Sequence, residues 1–149
     1  MFNVGIVSVT NHNFGSILQT FALQAAVKKM GCNPQIVNYK ESKIAKIKRF
    51  HNLEYAVSRL KIIYKQIIMN FVNSKRKKLL SERAHFFEKF IEKNLAFSKL
   101  CTNKEDLTEL TKDFDVVLLG SDQVWHPMNL LMDFFTLTFV PDSTRKGAY

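Results

Sequence analysis

The stretch Asp115-Val116-Val117-Leu118-Leu119-Gly120 decides how this chain is read. Four aliphatic residues in a row, closed by a glycine, have neither the alternation of a half-exposed strand nor the length of a helix. Such a run suits a strand buried on both faces, which is the condition of a parallel sheet with helices packed on either side. Residues 2 to 9 are of the same kind, short, apolar and β-branched. A polar turn, Thr10-Asn11-His12-Asn13, follows them and leads into Phe14-Gly15-Ser16. Apolar residues then recur at Ile17, Leu18, Phe21, Ala22, Ala25 and Met30, near the period of an amphipathic helix. Ser16 and Gln19 have the spacing of a capping box, and Gly31 with Pro34 supplies a stop. Gln35-Ile36-Val37-Asn38-Tyr39 reads as the next strand, completing a β-α-β unit. The expected class is α/β, a parallel sheet with helices on both faces.

From about residue 42 to 94 the pattern is helical. Leu53, Ala56, Val57, Leu60, Ile63, Tyr64, Ile67, Ile68, Phe71 and Val72 fall three or four apart, and a second series runs from Leu79 to Leu95, with a break near Asn73-Ser74. A short helix capped by Thr102 or Asn103 is expected next, running toward Leu110. After Gly120 come a polar loop and an aromatic stretch, Phe134-Phe135-Thr136-Leu137-Thr138-Phe139-Val140. Pro141-Asp142-Ser143-Thr144 reads as a turn, and Lys146-Gly147-Ala148-Tyr149 as the opening of another strand. Three or four strands with a long helical excursion make a thin sheet, so the chain is expected to be truncated.

The 149 residues include 13 Phe and are 46% hydrophobic, enough for a core. Cys32 and Cys101 stand far apart with no metal-ligand spacing, so no metal site is expected and both read as reduced thiols. The opening residues have no charged leader and no apolar span of roughly 20 residues. A cytoplasmic protein is expected, with peripheral contact at the inner membrane face as its furthest reach. The net charge of +9 is uneven: residues 41 to 100 hold 15 Lys and Arg against 5 Asp and Glu, whereas the rest hold 7 against 8. This basic block suits nucleic acid, an anionic membrane surface or acidic glycans; within it the run at residues 74 to 78 lacks the interleaved aromatics of a nucleic-acid module, which favours the membrane surface.

Ligands of open parallel sheets gather beyond the carboxyl ends of strands, where helix N-termini favour anions. Two loops qualify. The first, residues 10 to 16, offers His12, Asn13, Gly15 and Ser16, with Gln19 one turn further on. The second, residues 120 to 126, offers Ser121, Asp122, Gln123, Trp125 and His126. There is no G-x-G-x-x-G and no G-K-[ST], which leaves dinucleotide and P-loop functions without support. Asn13, Gly15, Ser16 and Gln19 equally suit helix capping and turn geometry. Asp122 suits a general base or a sugar-hydroxyl acceptor, or an aspartate bonded to its own turn. Trp125 suits a sugar-stacking ring or ordinary packing. His12 and His126 are the imidazoles available as proton donors. The run Ser74-Lys75-Arg76-Lys77-Lys78 reads as a solvated helix junction or an anion-docking patch.

Taken together, three stretches resemble the polysaccharide pyruvyl transferase family. Val4-Gly5-Ile6-Val7 followed by Asn13-Phe14-Gly15-Ser16-Ile17-Leu18-Gln19-Thr20-Phe21-Ala22-Leu23-Gln24 is similar to its N-terminal signature. Gly120-Ser121-Asp122-Gln123-Val124-Trp125 is similar to its second, with His126-Pro127 where Asn-Pro is common. Residues 134 to 140 and Arg145-Lys146-Gly147-Ala148-Tyr149 resemble the approach to the following strand. The resemblance implies a Rossmann-like N-terminal lobe of a two-lobed enzyme similar to B-type glycosyltransferases, with a basic helical insertion at about 42 to 97 and the C-terminal lobe absent. It implies transfer of a pyruvyl group from phosphoenolpyruvate, the donor substrate, to two hydroxyls of a glycan or lipid-linked sugar as a cyclic ketal, without a separate cofactor. Asp122 and His12 are then the catalytic candidates. Asn13, Gly15, Ser16, Gln19, Ser121, Gln123, Trp125 and His126 are the substrate contacts. Neither loop contains Arg or Lys, so the donor's phosphate and carboxylate are expected to be met by the other lobe. The competing expectation is a stand-alone basic module that docks on an anionic membrane surface or nucleic acid.

Overall fold

The computed structural model describes residues 1–10, 14–42, 53–72, 74–120, 124 and 134–149. Two compact units make up the chain, one from Met1–Glu41 with Ile91–Tyr149 and the other from Ser42–Phe90.

The first unit is built on five strands, β1 (Asn3–Ser8), β2 (Asn33–Tyr39), β3 (Phe97–Cys101), β4 (Val116–Gly120) and β5 (Arg145–Ala148). They form one sheet in the order β3-β2-β1-β4-β5, with every neighbouring pair parallel. The Rossmann-like α/β expectation therefore holds, with more strands than the three or four anticipated. The additional one is β3, an edge strand whose Lys99 and Leu100 are exposed. A partly solvated edge of five residues lacks the unbroken apolar run that marks a buried strand, which is why no strand is expected there from the sequence.

Alternation along β1 sorts the core into two faces. Val7 and Val9 join Val37, Cys101, Val117 and Leu119 on one face, beneath helix α4 (Lys104–Thr111) with its Leu107 and Leu110. Gly5 points the same way, and a Cβ there would stand 2.6 Å from the Phe114 ring, so the glycine admits that ring against the strand. Ser8 faces the opposite side, where its hydroxyl meets Thr20 of helix α1 (Phe14–Lys29). Asn103 rather than Thr102 caps α4, accepting from Asp106 N at 2.7 Å, while the Asp106 carboxylate accepts from Thr102 N and Oγ1 at 2.9 and 3.2 Å.

The aromatic stretch after Gly120 folds as turns laid over the α4 face. Phe134 stacks on Tyr39 at 4.9 Å and on Phe139 at 5.8 Å. The segment is tied to α4 by Thr108 Oγ1 donating to Phe139 O at 2.9 Å and Thr144 Oγ1 donating to Thr111 O at 3.3 Å. The turn expected at residues 141 to 144 is present, closed by Thr144 N donating to Pro141 O, and β5 follows it.

Helix α1 corrects one expectation. Its buried residues are Ser16, Ile17, Thr20, Gln24 and Val27, whereas Leu18, Ala22, Ala25 and Met30 are exposed. The face turned inward is largely polar because polar partners wait beneath it. Gln24 Nε2 donates to Asn94 O at 2.8 Å and its Oε1 accepts from Ala96 N at 2.7 Å. The helix ends in a Schellman motif, with Cys32 N donating to Val27 O, Gly31 N to Lys28 O, and Gly31 at φ 78°.

The second unit contains helix α2 (Leu53–Val72) and the larger part of helix α3 (Ser74–Asn94). The break between the two helices falls where Asn73-Ser74 indicated. The Arg83 guanidinium lies 5.4 Å from the centre of the Phe87 ring. No helix among the described residues is long and apolar enough to cross a membrane.

Candidate functional site

From β1 the chain moves outward through β2 to β3, and from β4 it moves the other way to β5. The direction of winding thus reverses between β1 and β4, which lie side by side in the middle of the sheet. At such a switch point the connections leave on opposite faces and open a crevice at the carboxyl ends of the strands. Those ends are Ser8 and Gly120, which are register partners. The two loops singled out in the sequence therefore depart from adjacent points, although they are far apart along the chain.

Around this crevice the described residues form a small hydroxyl cluster. Ser8 Oγ and Thr20 Oγ1 are 2.6 Å apart, both residues are buried, and Thr20 Oγ1 donates to Ser16 O at 2.8 Å. A hydroxyl has a single proton, so the Ser8 hydroxyl is the donor to Thr20. The Ser16 side chain is 2% exposed and its Oγ has no hydrogen-bond partner. Buried hydroxyls are seldom left so, and an orphan of this kind beside a crevice is a natural place for a ligand or water to bind. Gly120 lacks a Cβ where one would collide with the Tyr149 ring, and the Tyr149 hydroxyl donates to Gln19 O at 3.5 Å. That ring consequently spans from the end of β4 to the second turn of α1. Glu41, just past β2 at the same end of the sheet, is buried.

Of the anticipated site residues, Gly15, Ser16 and Gln19 lie on the first turns of α1 beside this crevice, Ser16 buried and the other two exposed. The capping-box role does not hold for Ser16 and Gln19. Helix α1 begins at Phe14, so Ser16 is already its third residue, and its unpaired hydroxyl caps nothing. His12, Asn13, Ser121, Asp122, Gln123, Trp125 and His126 lie outside the described residues. Ser8, Thr20 and Tyr149 were missed. The spacing of Ser16, Thr20 and Gln24, each four residues apart, was the available signal for a polar helix face.

Compared with known proteins, the chain matches no family model and no curated protein.

A concavity of about 460 Å³ lies at the β3 edge of the sheet, lined by Lys99, Leu100, Glu105, Asp106 and Glu109. It borders β3, two strands from β1. Two of its three carboxylates, Asp106 and Glu109, have partners within the chain. Hydrogen bonds from Thr102 hold the Asp106 carboxyl below its usual range, and the Lys112 ammonium, 2.6 Å away, does the same for Glu109. Among the described residues no group of three or more His, Cys, Asp and Glu is arranged to hold a metal ion.

Proposed function

We propose that this chain carries the acceptor-side sheet of a sugar-modifying transferase of the polysaccharide pyruvyl transferase type. The observation that supports the reading is the register of Ser8 with Gly120. The two stretches whose residues resemble that family start from neighbouring strand ends at a switch point, as parts of a single site must.

The reaction joins phosphoenolpyruvate to two hydroxyls of one sugar. The enolpyruvyl methylene takes up a proton and becomes a methyl group. Two C–O bonds form at the former enol carbon, its C–O bond to phosphate breaks, and inorganic phosphate leaves with the electron pair. An acid must meet the methylene and a base must take the hydroxyl protons. In this reading Asp122 is the base on the acceptor hydroxyl and His12 the acid, with His126 as its alternative. Trp125 offers a flat apolar face to a pyranose ring. Asn13, Gly15, Ser16, Gln19, Ser121 and Gln123 supply polar contacts to hydroxyls, the unpaired Ser16 Oγ foremost among them.

Amide NMR of the 149-residue protein tests this. Methyl hexopyranosides should give saturable shifts at Ser8, Ser16 and Gly120, lost in Asp122→Asn. Phosphoenolpyruvate should act no differently from inorganic phosphate if the donor's cations come from elsewhere. A folded chain that responds to neither sugar nor phosphoenolpyruvate overturns the reading.

A further inference from the structure

The second unit presents an unusual surface. Along α2, Val57, Leu60, Ile63, Tyr64, Ile67 and Ile68 are all exposed, Leu60 by 61% and Tyr64 by 68%. At roughly 100° per residue these six fall within one arc of about 140°. Lys61 and Lys65, also exposed, border that arc, whereas Ile62 and Gln66 lie on the other side of the helix. An apolar arc of this width is ordinarily the part of a helix that packs into a core. Here it faces solvent, and it sits in the most one-sided charge environment of the chain. Residues 55 to 81 contain seven Lys and Arg and no Asp or Glu.

Charge complementarity selects among the possible occupants. A second copy of the same face would bring the bordering Lys61 and Lys65 of one chain toward the same cations of the other, with no acidic residue in the segment to pair with them. Nucleic acid would satisfy the cations but leave these six apolar residues, of which Tyr64 alone is aromatic, in water. An anionic lipid surface satisfies both features. The arc enters the boundary between headgroups and acyl chains while Lys61 and Lys65 extend along it to the phosphates. A helix of 20 residues that is not apolar enough to span lies in the plane of such a surface. We infer that α2 is a membrane-surface docking helix that seats its Val57–Leu60–Tyr64–Ile67 face in anionic phospholipid. This inference is independent of the transferase reading and locates the contact on α2 rather than on the basic run at residues 75 to 78.

Vesicle sedimentation of the purified full chain tests it, comparing phosphatidylcholine alone with phosphatidylcholine containing phosphatidylglycerol. The chain should co-sediment with the second and not the first. Leu60→Ser combined with Ile67→Ser should weaken binding about ten-fold or more through loss of apolar burial. Lys61→Gln with Lys65→Gln should weaken it about ten-fold through charge. All four side chains are exposed, so unchanged circular dichroism is expected, and Ile62→Ser, outside the arc, should leave binding intact. Three results would overturn the inference. The first is a folded chain that ignores acidic vesicles. The second is binding indifferent to the Leu60 and Ile67 substitutions, which would mean that charge alone acts. The third is a concentration-dependent dimer abolished by those substitutions, which would give the face to a second copy.

Discussion

Ser8 donates its hydroxyl proton to Thr20 across 2.6 Å, and Thr20 in turn donates to Ser16 O, which fixes the direction of a chain running from the end of β1 into α1. The two ends of this chain should respond differently to mutation. Ser8→Ala leaves the Thr20 proton satisfied by Ser16 O and should cost about 0.5–1.5 kcal/mol. Thr20→Val strands a buried Ser8 hydroxyl without its acceptor and should cost about 1–3 kcal/mol. Urea midpoints at an unchanged m-value would show that order, and the reverse order would mean that Ser8 is the acceptor.

Gln24 holds the chain on both sides of Leu95 through its two amide atoms. Gln24→Ala removes both bonds and leaves Asn94 O and Ala96 N to find other partners, a loss of about 2–4 kcal/mol. Hydrogen exchange should report it locally, with the Ala96 amide exchanging faster than the β1 amides in the same variant.

Two glycines are required for different reasons. A Cβ at Gly31 would meet nothing within 4 Å, but the residue holds φ at 78°, so Gly31→Ala should lose about 1 kcal/mol through backbone strain alone. Gly5 has an ordinary backbone but meets the buried Phe114 ring, and Gly5→Ala should lose about 1–3 kcal/mol through overpacking. Combining Gly5→Ala with Phe114→Leu should recover part of the second loss and would leave the first untouched.

The two thiols should separate by reactivity. Cys101 is fully buried, and burial first, then the neighbouring Asp106 carboxylate, push its thiol up, with Lys99 opposing. Cys32 is only half-buried. Alkylation of native protein near neutral pH should modify Cys32 and spare Cys101 until the chain is unfolded. Early modification at Cys101 would show that the β3 edge opens readily.

Acid should act on the cap of α4. The Asp106 carboxyl lies below its usual range because Thr102 donates to it. A depressed folded-state value means that its contribution is present above the unfolded carboxyl range and is lost as pH falls through the folded value. Asp106→Asn should therefore narrow the stability difference between neutral pH and about pH 3, the region below the ordinary aspartate value. An unchanged acid limb would show that the cap contributes nothing to it.

How much of this could be read in advance varied with the residues. β1 and β4 were legible because their apolar runs are unbroken and need no knowledge of their neighbours. The break between α2 and α3 was legible for a similarly local reason, a polar pair interrupting two helical series. β3 was not, because an edge strand takes its hydrogen bonds from one side and can keep Lys99 and Leu100 in water. The inward face of α1 was not legible either. Periodicity marked Leu18, Ala22 and Ala25 as core, but the positions beneath the helix belong to Ser8 and to the backbone around Leu95, which favour Thr20 and Gln24.

By itself, then, the sequence determined an α/β chain with parallel strands, a basic helical segment and two polar loops. Local composition and period are enough for that, since burial on both faces and helical repeat are properties of short segments. Tertiary structure alone decided that the two loops leave from Ser8 and Gly120, side by side where the sheet changes its direction of winding. Strand order is set by which faces pack together over the whole unit, and no short stretch of residues contains that information.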